Sequence, residues 1–230
     1  MEDGKKMNNL NILYEDNHII VVEKIINVPV QEDSSKDKDM LTIIKEYLKE
    51  KYNKKGNVYL GLVHRLDRPV GGVMVFAKTS KASSRLSEEL RNKKIKKTYL
   101  AIAIGKTKEE EKLINYILKD NKTNNSYIDE NGKEAVLNYK TLYYDKKNNL
   151  SLIRINLETG RHHQIRLQMS NINHPLYGDQ RYNKQDKKQI ALYAYKLEFI
   201  HPVTKENMTF KLLPKNIGVW KMLDEVRDIL

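Results

Sequence analysis

Two short stretches hold the side chains best suited to chemistry: HRLDRPVGG (64–72), with a carboxylate at Asp67, and TGRHHQIR (159–166), with several donors. Asp67 is flanked by Arg65 and Arg68, is followed by Pro69 and Gly71–Gly72, and leads into VMVFA (73–77), which reads as a buried strand. An arginine beside a carboxylate favours its ionised form. The arrangement therefore suits a nucleophile or an electrostatic stabiliser better than a proton donor; a turn carboxylate in a surface ion pair is the alternative. In the second stretch, a helix starting near His162 puts His162 and Arg166 on one face and Ile165, Met169 and Ile172 on an anchoring side. Arg161, His162, His163 and Gln164 then offer donors at the helix start to phosphate or carbonyl oxygens. A basic helix start on the surface is the other reading.

The elements that must position these groups are strands and short helices. In a strand over YLAIAIG (99–105), Tyr99, Ala101 and Ala103 point one way, which leaves room for a planar group beside the phenol; otherwise the tyrosine fills space under the adjoining helix. The run RNKKIKK (91–97) precedes it, so Lys93, Lys94, Lys96 and Lys97 are candidates for phosphate contacts beside a stacking aromatic. HIIVVE (18–23), VLNYKTLYY (136–144), LSLIRINL (150–157), IALYAYKLEF (190–199) and MTFKLL (208–213) read as further strands. Residues 39–52 read as a helix capped by Asp39 with Leu41, Ile44 and Leu48 inward, 81–93 as one with Ala82, Leu86 and Leu90 in line, and 219–230 as a closing helix. Strands outnumber possible crossover helices, so the fold class is α+β with a mostly antiparallel, mixed sheet. Residues 108–136 and 25–39 are polar and read as a solvent-facing excursion or hairpin and an exposed connection.

With 230 residues and no proline- or glycine-rich linker, one compact unit over 1–230 is the simpler account. The absence of cysteine excludes a disulfide scaffold and a thiolate nucleophile, and six scattered histidines give little basis for a metal centre. No apolar run is long enough to cross a bilayer and the polar amino terminus has no signal-peptide core, so a cytoplasmic protein is expected. Lys and Arg number 42 against 30 Asp and Glu, a formal charge of +12, which points to a polyanionic partner, although a coding bias towards lysine, asparagine and isoleucine accounts for part of it. RNA and DNA both fit the charge, and anionic lipid fits least. No GxGxxG follows a strand and no GxxxxGK[ST] is present, which argues against a doubly wound nucleotide fold.

HRLDRPVGGVMVFAKT (64–79), KKTYLAIAIG (96–105), TGRHHQIRLQM (159–169), HPLYGDQRY (174–182) and residues 191–214 resemble, in order and spacing, the successive motifs of the RluA/RluD family of RNA pseudouridine synthases. YEDNHIIVVEK (14–24) resembles the family's opening strand pair, so the likeness spans nearly the whole chain. The resemblance implies an elongated, mostly antiparallel sheet with peripheral helices and a central RNA-binding cleft, without a separate amino-terminal S4 module. It implies Asp67 as nucleophile, Tyr99 against the target base, Arg166 as ion-pair partner of Asp67, Arg65 around the flipped nucleotide and Leu192 lining the uracil pocket. His64, Arg161, His163 and Gln164 join the lysines as RNA contacts. The implied partner is structured ribosomal or transfer RNA, bound by a monomer, with no cofactor and no metal required. Departures from the family pattern fall in VEKIINVPV (22–30), which lacks the frequent Lys-Pro-x-Gly form, at Gln168, in SNINHP (170–175) and in ALYA (191–194). They bear on which RNA fits more than on the chemistry.

Overall fold

A computed structural model of the chain describes residues 10–120, 122–184 and 186–230. The polar amino terminus lies outside them. The described residues fall into two compact units, one running to Lys94 and including Phe199–Phe210, the other made of Ile95–Glu198 and Lys211–Leu230.

In the first unit, β1 (Ile12–Glu15) and β2 (Ile19–Lys24) form an antiparallel hairpin. The EDN turn closes because the Asp16 carboxylate accepts hydrogen bonds from the amides of His18 and Ile19, both at 2.7 Å. Helix α1 (Met40–Lys51) starts where Asp39 accepts from the Thr42 amide at 2.7 Å, the cap expected from its type. Its buried side is Met40, Ile43, Ile44 and Leu48, so Leu41 is not inward as the spacing suggested. After the short β3 (Gly61–Leu62), β4 (Gly71–Ala77) pairs with β2 from Ile19↔Ala77 to Lys24↔Gly72 and is buried along its whole length. Thr79 caps α2 (Ser80–Arg91), whose buried residues are Ala82 and Leu86.

The second unit is a sheet in which β5 (Lys96–Ile104), β6 (Glu110–Asp120), β7 (Asn125–Ile128), β8 (Lys133–Asp145), β9 (Leu150–Leu157) and β10 (Leu192–Ile200) take the order β10-β5-β9-β8-β6-β7. These neighbours run antiparallel. The polar stretch 108–136 is thus a hairpin of long strands: Leu113 and Ile117 are buried, whereas Ile114 and Tyr116 face solvent, so only one face is apolar. Helix α3 (Gln164–Asn171) follows β9. The closing segment Gly218–Ile229 is a 3-10 helix with non-helical backbone at Val226, not the α-helix read from its spacing. Its Met222, Leu223 and Val226 pack with Leu100, Ile102, Leu152 and Tyr195. No helix among the described residues is long and apolar enough to cross a membrane.

Glu15 ties three elements of the first unit together. Its nearly buried carboxylate accepts from Lys51 Nζ (2.7 Å) and Tyr52 Oη (2.7 Å) at the end of α1, from Tyr47 Oη (2.9 Å), and from Lys78 Nζ (2.6 Å) just beyond β4. Burial pushes its pKa up, but the hydrogen bonds from Lys51, Lys78, Tyr52 and Tyr47 outweigh that and hold it at about 2. A carboxyl depressed below its ordinary 4.5 adds stability that is present above pH 4.5 and lost as pH falls towards 2. Glu15→Gln is therefore expected to cost about 3 kcal/mol at pH 7 in urea melts, because it strands a buried ammonium. It should also flatten the acid decline in Tm; an equal decline in both proteins would assign that loss to other carboxylates.

Candidate active site

Asp67 sits on a loop anchored from three directions. Leu66 and Val70 are buried on either side of it, and the Val70 amide donates to the Asp67 carbonyl at 2.9 Å, closing a turn. Beneath, Lys24 is fully buried and its ammonium donates to the backbone carbonyls of Asp67, at 3.2 Å, and Arg68. Burial pulls the Lys24 pKa down to about 7 even though the Asp67 carboxylate pulls the other way. The backbone of Gly72 has φ +125°, a region closed to most side chains, which explains why the loop enters β4 through glycine.

The two arginines beside Asp67 behave differently. Arg65 is exposed. Arg68 turns into the 25–39 connection: its Nε donates to the Asn27 carbonyl (3.1 Å), Nη1 donates to Ser35 Oγ (2.8 Å), and the guanidinium pairs with Asp33 and Asp37. Arg68, one of the two arginines flanking Asp67, thus ties the exposed connection to the Asp67 loop. His64 is half-buried, with its Nε2 at 3.4 Å from the Val75 amide, so it braces the loop against β4.

Tyr99 is buried in the middle of β5. Register places Ala194 of β10 and Ile155 of β9 directly across from it, and Leu192 across from Ala101. Opposed residues share a face, so Tyr99, Ala101, Ala103, Leu192 and Ala194 form one surface of a single aromatic ring among small and apolar groups. Lys93, Lys94 and Lys96 are exposed; Lys97, on the Tyr99 face of β5, is half-buried.

Arg166 lies in the first turn of α3 and is buried rather than displayed on a surface. Its Nε donates to Asp179 Oδ2 at 2.9 Å and its Nη2 to Asp179 Oδ1 at 2.7 Å, a forked pair in which Asp179 is wholly inaccessible to water. Burial raises the Asp179 pKa, but Arg166 and then the amides of Tyr182 and Arg181 more than offset it, so the carboxyl is held below its usual range. Tyr182 lays its ring 5.5 Å from the Arg166 guanidinium carbon. Its phenol meets His163 Nδ1 at 3.1 Å and receives the Ser126 amide of β7, also at 3.1 Å, while His162 stacks on His163 and pairs with Ser126 Oγ. Gln164 turns inward, its Oε1 accepting from Thr159 Oγ1 (2.8 Å) and the Arg161 amide (3.0 Å). Arg161 Nε donates to the Glu134 carbonyl at 2.8 Å. The donors read as ligand-facing are thus largely engaged in shaping the helix start.

The profile of the family described as RNA pseudouridylate synthase matches residues 18–171. The chain belongs to that family. It is therefore an isomerase that converts uridine to pseudouridine in RNA. It is 34% identical to the uncharacterized RNA pseudouridine synthase YhcT of Bacillus subtilis (strain 168), over 86% of this chain and 66% of that protein. It is equally identical, at 34%, to the ribosomal large subunit pseudouridine synthase C of Buchnera aphidicola subsp. Baizongia pistaciae, over 90% of this chain and 70% of that protein. The chain thus spans about two-thirds of the length of these relatives. The solved structure of human RNA pseudouridylate synthase domain containing 4 superposes with a TM-score of 0.77 at 21% identity, covering 94% of this chain and 93% of that one. The α+β fold, a mostly antiparallel sheet with peripheral helices, is the pseudouridine synthase catalytic fold.

Three residues of the site went unassigned in the sequence: Lys24, Asp179 and Tyr182. Lys24 ends an apolar strand, where a lysine normally marks the exit to solvent. Asp179 and Tyr182 stand in HPLYGDQRY, and a signal for them was available in Gly178, whose φ is +78° and whose hypothetical Cβ would lie 2.0 Å from the Gln189 carbonyl oxygen. Only glycine permits that turn, and the turn aims Asp179 at Arg166. Asp179→Asn keeps the shape but removes the charge facing a buried guanidinium. It is expected to cost about 3 kcal/mol of stability in urea melts and to reduce pseudouridine formation at least tenfold below the midpoint. A loss under about 1 kcal/mol would mean that Asp179 does not neutralise Arg166.

Proposed function

We propose that this pseudouridine synthase acts on a uridine in structured ribosomal or transfer RNA, with Asp67 as nucleophile, Tyr99 against the target base and Arg166 as the ion-pair partner of Asp67. The observation that carries the reading is that the chain holds both HRLD and GRHHQIR, each fixed by a buried charged side chain: Lys24 under the Asp67 loop and Asp179 behind Arg166. Neither anchor would be needed to hold an ordinary surface turn.

Uracil must leave C1′ through N1, rotate and rejoin through C5. Asp67 attacks C1′, or stabilises the positive charge that develops there, as the N1–C1′ bond breaks. The uracil anion takes up the electron pair, and donors around its oxygens make it a tolerable leaving group. Its rotation between the Tyr99 ring and the Leu192–Ala194 surface brings C5 to C1′. The C5–C1′ bond forms as any Asp67–C1′ bond breaks and returns its electron pair to the carboxylate; the C5 proton leaves and N1 gains a proton, so the product is an isomer, Asp67 is regenerated and no external reactant is consumed. A uridine in a duplex or folded loop is first flipped out at a cost of a few kcal/mol, offset by phosphate contacts and stacking. Arg65, exposed beside Asp67, enters the space around that nucleotide, and the exposed Lys93, Lys94 and Lys96 track the flanking phosphates. The relatives named for the ribosomal large subunit support ribosomal RNA as the first substrate to test.

A transcriptome-wide pseudouridine map of cells with and without the protein identifies the uridine; no lost site in ribosomal or transfer RNA would sink the substrate assignment. On the transcript so found, Asp67→Asn is expected to lower single-turnover conversion by at least a thousandfold while leaving RNA affinity within a few-fold. Conversion at the wild-type rate would remove Asp67 from the chemistry. Tyr99→Phe should keep most of the affinity and slow rearrangement about a hundredfold, whereas Tyr99→Ala should weaken both. An unimpaired Tyr99→Phe would leave only the ring in the mechanism.

A further inference from the structure

Among the described residues, the most deeply buried cations each meet an acceptor. Lys24 is met by two carbonyls, Lys78 by Glu15 and Arg166 by Asp179. Lys97 is half-buried, and among the described residues no carboxylate, carbonyl or hydroxyl hydrogen-bonds its ammonium. Its neighbours across β5 are Leu157 and Leu197. Burial, unopposed by any nearby anion, lowers its pKa. A half-buried ammonium with no anion beside it is open to an acceptor that a ligand brings.

Its position says what that something is. Lys97 stands two residues before Tyr99, hence on the same face and roughly 6.5 Å along the strand. The ammonium lies against the backbone at Gly160, where an added Cβ would be 3.1 Å from Nζ, so it borders the start of the loop that ends in Arg166. Lys93, Lys94 and Lys96 are open to solvent and suited to a diffuse track, whereas Lys97 is aimed along the face that takes the base. We infer that Lys97 receives a backbone phosphate next to the target uridine itself, and is a substrate-positioning residue distinct from the outer lysines. This rests on the assignment of Tyr99 to the target base. The phosphate supplies the negative charge that the protein does not, in an N–H···O bond strengthened because the ammonium is partly withdrawn from water. Gly160 leaves that ammonium its room.

The test uses the substrate oligonucleotide with single neutral methylphosphonates at each phosphate within two nucleotides of the target, read by single-turnover conversion and by Kd. Wild type should lose tenfold or more at one such position. Lys97→Gln should show a similar loss on unmodified RNA and little further loss from that methylphosphonate, with Lys97→Arg partly restoring the sensitivity and Lys96→Gln keeping the wild-type fold-loss from that methylphosphonate whatever its own affinity. The Tm of Lys97→Gln should equal or exceed the wild-type value, since an unmatched cation is removed. Losses that simply multiply at every phosphate, or a lowered Tm with no coupling, would overturn the inference in favour of a structural lysine. Should wild type convert no uridine, the assigned function falls, while the coupling read in Kd still decides the role of Lys97.

Discussion

A guanidinium cannot be buried without an anion, and the second unit is organised around meeting that demand at Arg166. The forked partner, Asp179, comes from a loop eight residues beyond the end of α3, so that loop has to wrap back over the helix start. Gly178 makes the turn and Tyr182 covers the guanidinium. From Tyr182 the constraint passes to His163, which holds left-handed backbone at φ +54° in the cap position, and to Ser126 at the sheet edge. The helix start, the 174–182 loop and the β6–β7 hairpin are consequently one mechanical piece. An arginine set in such a piece has its orientation fixed by the fold.

The first unit solves the mirror-image problem of holding an acidic side chain on a loop. Lys24 grips the loop through main-chain carbonyls, so it fixes the path of the chain at Asp67 and Arg68 while its own charge remains close to the carboxylate. Arg68 fastens the acidic 25–39 connection from the outside. The chain carries a formal charge of +12, so its basic groups exceed the acids that could neutralise them, which favours a polyanion.

Much of the fold was legible because periodicity and turn chemistry are local. IIVV and VMVFA announced buried central strands, Asp39 announced a helix start, and the alternation at Tyr99 correctly identified small neighbours on its face. The 108–136 segment was harder, since a strand with one solvated face contains as many polar residues as a loop. The closing segment has its apolar residues where a helix would need them, and packing against Leu100, Leu152 and Tyr195 tightened it into a 3-10 form.

What the sequence alone determined was the set of residue types and their local order: the carboxylate on its loop, the aromatic on its strand, the arginine at its helix start, and with them the family and its reaction. Only the tertiary structure decided the partners. Arg68 stands beside Asp67 in the chain but pairs with Asp33 and Asp37; Gln164 belongs to a donor-rich stretch but turns inward to Thr159; Lys24 ends a strand but is buried under a loop some 43 residues on. The reason is physical. Periodicity reports which face of an element is buried, whereas the partner of a charged side chain depends on which distant loop closes over it, and that choice is made by packing.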